Sequence, residues 1–581
     1  MKNYWTWALL GLCSTAVAKP NIQAAHAMQR LFPGMGYENM IHEAAAPKAA
    51  KVQRRAPVRR RAEQSRFFNN ATQKFVVDGK GIPDVDFDIG PSFAGQLPIS
   101  DKPNERDHLY FWFFPTDNEE QRDSNEIVIW LNGGPGCSSL LGLLQENGPF
   151  LWNPGTEKPV SNPWSWHKLT NVVWVEQPVT VGFSQGEASI TNEDELGEQF
   201  LGFWKSFVDA FCMRGFKVYV AAESYGGYYG PYISSHMVDK KDKNYYDIQG
   251  LIVYDGVFFD DSIQSNVVAE STLEQLSTIM PIGDAARQGI HNISESCGFN
   301  AWNEKYLVYP PSGPAPNAPP GTKDLGNGTR VPEGECNYLH YYVTSNMSVI
   351  NPCFDIYNLL NHCPQVSNVI PIDTEAGIEP YFNRPDVKKA INAPLNVNWT
   401  ACVNGVFTSP NELDLSNPSG VYALPHVIDS TQNVIIAQGA VDFILPLNGV
   451  LLGIQNMTWG GQLGFQKAPS DPLYVPSYGI DYDDEDQTDY YAKALPAGWG
   501  VQGTTHTERG LTLAVMSLSG HMGPASAPAA SFRQLEKLLG RVASLSDTSP
   551  FTLPELRNIS QPEEPLGNGT VKIPCTKRGC P

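Results

Sequence analysis

The segment Lys217-Val-Tyr-Val-Ala-Ala-Glu223-Ser224-Tyr225-Gly226-Gly227 constrains the fold more than any other stretch of the chain. An apolar, β-rich run enters a turn of small residues, and a helix-compatible segment follows through Met237. A turn of this kind lifts the serine Oγ out of a sheet and aims a helix N-terminus at it. Small neighbours are needed because the turn presses backbone against backbone. The usual spacing is Gly-x-Ser-x-Gly, and here the first glycine is replaced by Ala222. A serine in such a turn often serves only as a helix cap, but the strand before it and the helix after it favour a nucleophile.

The flanking pattern predicts an α/β sheet. Short apolar or aromatic runs at His108 to Phe114, Ile127 to Leu131, Asn171 to Val175, Leu251 to Tyr254, Val434 to Ala437 and Leu511 to Ser517 read as strands. Leu196, Phe200, Phe203, Trp204, Phe207 and Phe211 recur at helical spacing, predicting a helix over 196–212 with Cys212 on its buried face. A last helix is expected over 528–542. Residues 260–425 break the alternation: they hold five cysteines, four Asn-x-Ser/Thr sequons and the proline-rich stretch 309–320. They read as a disulfide-laced lid inserted over the sheet. The core then falls in two parts, 62–259 and 426–545, with a tail over 546–581.

The 581 residues include 41 basic and 61 acidic side chains, a net charge of −20, which argues against a nucleic-acid partner. The first 61 residues are unlike the rest, with ten basic and two acidic. Lys2, the apolar run from Trp5 to Leu12 and Ala16-Val17-Ala18 read as a secretory signal over 1–18. The basic clusters before residue 62 read as processing sites, making 19–61 a pro-segment. No later run is long enough for a membrane anchor. Nine cysteines lie beyond the signal, and sequons stand at Asn70, Asn292, Asn327, Asn346, Asn398, Asn456, Asn558 and Asn568. Disulfides and glycosylation in an oxidising compartment are expected, with secretion to the medium favoured over a vacuole. The acidic run over 481–486 reads as a solvated loop.

Chain order supplies partners for Ser224. Asp442 follows the strand ending at Ala437, and His521 follows the strand ending at Ser517, giving the order Ser, Asp, His. Trp130-Leu-Asn-Gly-Gly-Pro-Gly-Cys-Ser-Ser139 is a glycine-rich loop after a strand, whose amides are able to approach a tetrahedral oxyanion without a Cβ in the way. It lacks the Lys-Ser/Thr of a phosphate loop, and no metal-binding spacing is present.

These four motifs, together with Ser92-Phe-Ala-Gly-Gln-Leu97, Ser161-Asn-Pro-Trp-Ser-Trp166 and Glu176-Gln-Pro178 leading to Gly182-Phe-Ser184, resemble secreted and vacuolar serine carboxypeptidases of fungal type over residues 90 to 540. The resemblance implies an α/β-hydrolase fold with a large lid. It implies a triad of Ser224, Asp442 and His521, and an oxyanion hole of the Gly134 and Tyr225 amides. It implies that Trp130, Asn132, Gly133, Glu146 and Glu223 hold the substrate's terminal carboxylate. Two close glutamates suit an anion only if they share a proton, so peptidase activity is expected to favour acidic pH, through KM more than kcat. His521 must then be kept unprotonated by its site.

Met522 matches a position lining the leaving-residue pocket, with core packing as the alternative. Three departures stand out: Ala222, Thr180 where a glycine is usual, and Gly523 where a branched aliphatic is usual. Cys137 and Cys402 match a family disulfide. Cys297, Cys336, Cys353 and Cys363 admit three pairings, of which the nested 297–363 and 336–353 is preferred, and Cys575 with Cys580 would close a tail loop. The expected activity is release of C-terminal amino acids from peptide or protein C-termini, without a cofactor. The alternatives are acyl transfer through the same acyl-enzyme and a non-catalytic binding scaffold. The intact triad and carboxylate-binding set argue against the second. The sequence leaves the oligomeric state open.

Overall fold

The structure, a computed structural model, describes residues 65–574 apart from 155, 157, 317–319, 325–329, 365–378 and 480–496. The expected signal and pro-segment, the Asn327 sequon, the acidic run over 481–486, Cys575 and Cys580 lie outside the described residues.

Eleven strands form one mixed sheet: β1 (Val76–Val77), β2 (Ser92–Pro98), β3 (His108–Phe114), β4 (Glu126–Leu131), β5 (Asn171–Glu176), β6 (Lys217–Glu223), β7 (Asp247–Tyr254), β8 (Val434–Gly439), β9 (Asp471–Val475), β10 (Gly500–Glu508) and β11 (Leu511–Met516). Their spatial order is β1-β2-β3-β5-β4-β6-β7-β8-β11-β10-β9. The six central strands from β5 to β11 run parallel, and the flanking pairs are antiparallel. Parallel strands need helical crossovers, which cover both faces and leave the central strands almost wholly buried and mostly apolar.

Strand β3 shows how the faces are divided. Its period of two sends Leu109, Phe111 and Phe113 to one core and Tyr110, Trp112 and Phe114 to the other. The first face meets α1 (Glu193–Phe211), whose Phe207 and Phe211 stand edge-on to Phe111 and Phe113 with ring centroids 5.2–5.7 Å apart. This helix begins three residues before its apolar stripe because Asn192 caps it, its side chain accepting from Glu195 N at 2.9 Å. It ends at Phe211, so Cys212 is not buried as expected. Cys212 is the C-cap in a left-handed conformation, which turns its thiol outward to an exposed position. The serine turn leads into α2 (Gly226–Lys240).

The described part of 261–350 holds several helices, including α3 (Asp284–Ser296) and α4 (Leu339–Ile350), whereas Phe382 and Trp399 are buried in the second core. Three disulfides join Cys137–Cys402, Cys297–Cys336 and Cys353–Cys363. The nested pairing expected for the last four cysteines is therefore corrected. The 12-residue helix α4 lies between Cys336 and Cys353 and spans about 18 Å, holding them apart. Cys297, at the end of α3, meets Cys336 instead, and Cys353 closes on Cys363 ten residues along. The last helix, α5 (Pro528–Leu538), stops short of the expected 542 because Gly540 adopts φ +71° just beyond its cap. Among the described residues no helix is long and apolar enough to cross a membrane.

Candidate active site

Four of the parallel strands deliver the site from their C-terminal ends: β4 and β6, which are neighbours, and β8 and β11 on the far side of β7. Ser224 follows β6 directly, with φ +61°, and is partly buried. A left-handed conformation is costly for a residue bearing a Cβ and persists only where the surroundings fix it. Here Ser224 N donates to Tyr254 O at 2.9 Å, while Ser224 O accepts from Gly227 N and Val257 N at 2.9 and 3.0 Å. Ala222, the first departure, is accommodated at Gly226, where any Cβ would lie 2.6 Å from the Ala222 methyl.

Asp442 and His521 follow β8 and β11, which are hydrogen-bonded neighbours, and both are buried. His521 Nδ1 hydrogen-bonds Asp442 Oδ2 at 2.8 Å, leaving Nε2 as the free ring nitrogen. Asp442 Oδ1 accepts from the amides of Ile444 and Leu445 at 2.9 and 3.3 Å. The loops carrying the pair are also stitched together, Val441 N donating to Ser519 O at 3.1 Å. Gly439 is needed at this crossing, since a Cβ there would lie 2.3 Å from Gly520 O.

The segment inside the Cys353–Cys363 loop holds both loops. Ile356 O accepts from Phe443 N and Ile444 N at 3.0 Å, Leu359 N donates to Val441 O at 3.1 Å, and Tyr357 O accepts from His521 N at 2.7 Å. Sequence reasoning missed these residues. Their part is played by backbone atoms, which leave no mark in residue type.

The glycine-rich loop after β4 abuts the serine turn. A Cβ on Gly133 would lie 2.4 Å from Tyr225 N and 2.7 Å from Ser224 Cβ. Gly134 has φ +120°, open to glycine alone. The loop is pinned from across the molecule: Ser138 N donates to Ala401 O at 2.8 Å and Val403 N to Gly136 O at 2.9 Å, beside the Cys137–Cys402 bond.

The five residues expected to form a carboxylate-binding set are assembled beneath that loop. Trp130 Nε1 and Gly142 N both donate to Asn132 Oδ1, at 2.8 and 3.0 Å. This orients the amide so that Asn132 Nδ2 donates to Glu146 Oε1 and to Glu223 Oε1, each at 3.3 Å. Glu146 lies in a π-helical turn over Leu143–Asn147, and Glu223 is the last residue of β6. Both glutamates are buried, and both are held by the one Asn132 amide nitrogen. Their Oε2 atoms have no hydrogen-bond partner among the described residues. Burial, and then the facing Glu146 carboxyl, push Glu223 well above the usual carboxylate range; burial raises Glu146 as well. The pair therefore retains a proton where ordinary carboxylates have lost theirs.

Met522 is half-buried and caps the short helix Gly523–Ser526. Gly523, the second departure, is explained by Tyr254: a Cβ at 523 would lie 2.5 Å from the Tyr254 ring, which occupies the space a branched side chain would fill. Asp255, beside that tyrosine, was not singled out from sequence, yet it reaches Asp442 and His521. One ligand atom each from Asp255, Asp442 and His521 lie within 4.8 Å of one another.

Residues 86–541 match the family described as serine carboxypeptidase. The chain is 44% identical over 506 residues to a protein of Arthroderma benhamiae named "Probable serine carboxypeptidase", covering 84% of this chain and 90% of the relative. It is 40% identical over 495 residues to serine-type carboxypeptidase F of Aspergillus niger, covering 82% and 89%. Among solved structures it resembles Kex1(delta)p, a prohormone-processing carboxypeptidase from Saccharomyces cerevisiae. That likeness has a TM-score of 0.63 at 21% identity, covers 81% of this chain and 96% of that one, and bears on the fold. The α/β-hydrolase architecture, the motif order and the extent of these matches agree: the chain belongs to the serine carboxypeptidase family and is a serine-type carboxypeptidase, acting on peptides.

Proposed function

We propose that this enzyme works through a triad of Ser224, Asp442 and His521, and selects substrates by a proton shared between Glu146 and Glu223. Ser224 Oγ attacks the carbonyl of the last peptide bond while His521 Nε2 takes its proton. The amides of Gly134 and Tyr225 receive the oxyanion. On collapse, the imidazolium gives the proton to the leaving amine, and the C-terminal amino acid departs. A water, deprotonated by the same nitrogen, then hydrolyses the acyl-enzyme. Asp442 holds the ring through Nδ1–H throughout.

The observation that carries the specificity is the Asn132 amide donating to two buried glutamates, one of them adjacent to the nucleophile. Asn132 Nδ2, the Gly133 amide and the shared proton are three donors for a terminal carboxylate, with Trp130 fixing the Asn132 amide. When the pair loses its proton it repels that carboxylate, which favours peptide cleavage at acidic pH. Met522 lines the leaving-residue pocket, and residues 260–425 act as a lid.

The N-terminal signal, the basic pro-segment and the sequons support a glycosylated zymogen of the secretory pathway, released to the medium rather than kept in a vacuole. Asn70, Asn292, Asn398, Asn558 and Asn568 are exposed, in keeping with modification.

The test is release of free amino acid from an N-blocked dipeptide at acidic pH, beside the same peptide amidated at its C-terminus. Release from the acid, a large loss with the amide and none with Ser224→Ala are expected. Equal release from acid and amide would sink the carboxylate-binding role, and activity surviving in Ser224→Ala would sink the triad.

A further inference from the structure

Asp255 is fully buried one residue beyond β7, between the strand that ends at the nucleophile and the strand that leads to Asp442. Its backbone is left-handed at φ +46°, and its N–H donates to Ala437 O at 2.8 Å. Its Oδ1 is occupied by two donors, Gly439 N at 2.7 Å and Gln438 Nε2 at 2.9 Å. Its Oδ2 has no hydrogen-bond partner among the described residues, and a carboxylate oxygen of Asp255 lies within 4.8 Å of one of Asp442. Two buried carboxyls this close cannot both ionise cheaply, so they hold one proton between them. Asp442 already accepts from Ile444 N, Leu445 N and His521 Nδ1, which favours its anion. The proton therefore belongs to Asp255.

We propose that Asp255 is a positioning residue of the triad: as a neutral carboxylic acid it donates Oδ2–H to Asp442 and fixes the carboxylate that orients His521. The proposal rests on the triad assignment above. The charges around Asp255 support it. Glu223 comes from β6, Glu146 from the π-helical turn, Asp442 from the loop after β8 and His521 from the loop after β11; Tyr254, on its own strand, is held neutral by burial. Burial, then the Asp442 charge, and further down Glu146, push the Asp255 carboxyl well above its usual range.

The arrangement has a chemical consequence. A carboxylate that accepts an extra hydrogen bond shares its negative charge with the donor, and so attracts a proton on the neighbouring imidazole less strongly. Asp255 thus tempers the charge that Asp442 presents to the ring, while keeping the Asp442 oxygen aligned with Nδ1.

Two variants and one spectrum test this. Asp255→Asn keeps a donor and an acceptor in a residue that tolerates left-handed backbone; Asp255→Gly keeps the backbone and removes both. With the N-blocked dipeptide, Asp255→Asn should retain kcat within about threefold, whereas Asp255→Gly should lose about tenfold or more in kcat with KM little changed. The acid limb of its kcat/KM profile should also move toward neutral pH. Equal damage in both variants, or an unshifted profile in Asp255→Gly, would overturn the proposal. Should Asp255→Gly not fold, the infrared difference between the parent and Asp255→Asn decides. Loss of a neutral carboxylic-acid carbonyl band near neutral pH supports the proposal, and loss of an ionised carboxylate band overturns it. The spectrum is independent of turnover, so a failure of the triad assignment, seen as activity in Ser224→Ala, is read separately.

Discussion

Tyr357 stands edge-on to His521, ring centroids 5.2 Å apart, and its carbonyl takes the His521 N–H. The tyrosine is 44% exposed, so little hydrophobic gain keeps it there. Its ring instead limits the orientations open to the imidazole. Tyr357→Ala leaves the backbone bond in place and removes only the ring. An edge-to-face pair is worth about 1 kcal/mol, so kcat should fall about three- to tenfold with KM nearly unchanged. Steady-state kinetics on a single dipeptide suffices, and a variant altered only in KM would assign Tyr357 to substrate binding.

The bond between Cys353 and Cys363 closes the segment on which that tyrosine sits. A loop of this size stabilises by about 3 kcal/mol when cross-linked. Replacing both cysteines by alanine should lower kcat as well as the unfolding midpoint, because Ile356, Tyr357 and Leu359 hold the Asp442 and His521 loops. Loss of stability with kcat intact at low temperature would show that the loop holds its shape unaided.

Glu223→Gln separates the shared proton from the rest of the site. In the parent, KM for a free-acid peptide should rise with pH as the Glu146–Glu223 pair gives up its proton, at pH values above the ordinary carboxylate range. The variant leaves Glu146 without a carboxyl partner, so its KM profile should be flatter and displaced. A parent KM that stays constant from acidic to neutral pH would refute the shared-proton account.

Glu176 supplies a pH-dependent stability term away from the chemistry. Burial drives its carboxyl up from 4.5 to about 7, against the opposing bonds from Ser138, Phe183 N and Trp399 Nε1. Between those two values the folded chain holds a proton that the unfolded chain has released. The contribution is full below pH 4.5 and is lost as pH rises to about 7, to the extent of about 3 kcal/mol. Glu176→Gln should remove that part of the slope in denaturation midpoints measured across this window.

Thr180, the third departure from the family pattern, has φ +83°, a conformation strained for a β-branched residue. Nearby Gly182 has no such freedom to change, since a Cβ there would lie 1.9 Å from Glu176 Oε1. Thr180→Gly should therefore stabilise by about 1 kcal/mol, the relief of strain exceeding the entropy glycine adds to the unfolded chain. Calorimetry showing a lower midpoint would mean that the threonine side chain makes a compensating contact.

What was legible in the sequence was local. The strand, turn and helix around Ser224 are written in consecutive residues, and so is the glycine-rich loop after β4. Helix α1 was placed by its aromatic stripe, but its first turn is set by the Asn192 cap and is polar. Strands β9 and β10 escaped notice because Gly500–Glu508 reads Gly-Val-Gln-Gly-Thr-Thr-His-Thr-Glu, with little apolar alternation, and Pro472 sits in the edge strand beside it. The cysteine pairing depended on the length of α4, a three-dimensional fact. Asp255 looked like any acid after a strand until β8 placed Asp442 beside it. Departures at 222 and 523 each proved to be half of a pair, matched by Gly226 and Tyr254.

The pinning of the glycine-rich loop by residues 401–403 bears on how activity arises during synthesis. A ribosome makes Ser224, the proposed nucleophile, long before it reaches 402, and His521, the proposed base, comes later still. The partner of Cys137 is 265 residues downstream. A growing chain therefore carries Ser224, Glu146, Glu223 and seven of its eleven sheet strands while its glycine-rich loop has nothing to lie against and the proposed triad lacks two members. On the proposed assignment, hydrolytic power is delayed by topology until the sheet closes, so an emerging chain is unable to trim C-termini around it, whatever becomes of its N-terminal segment.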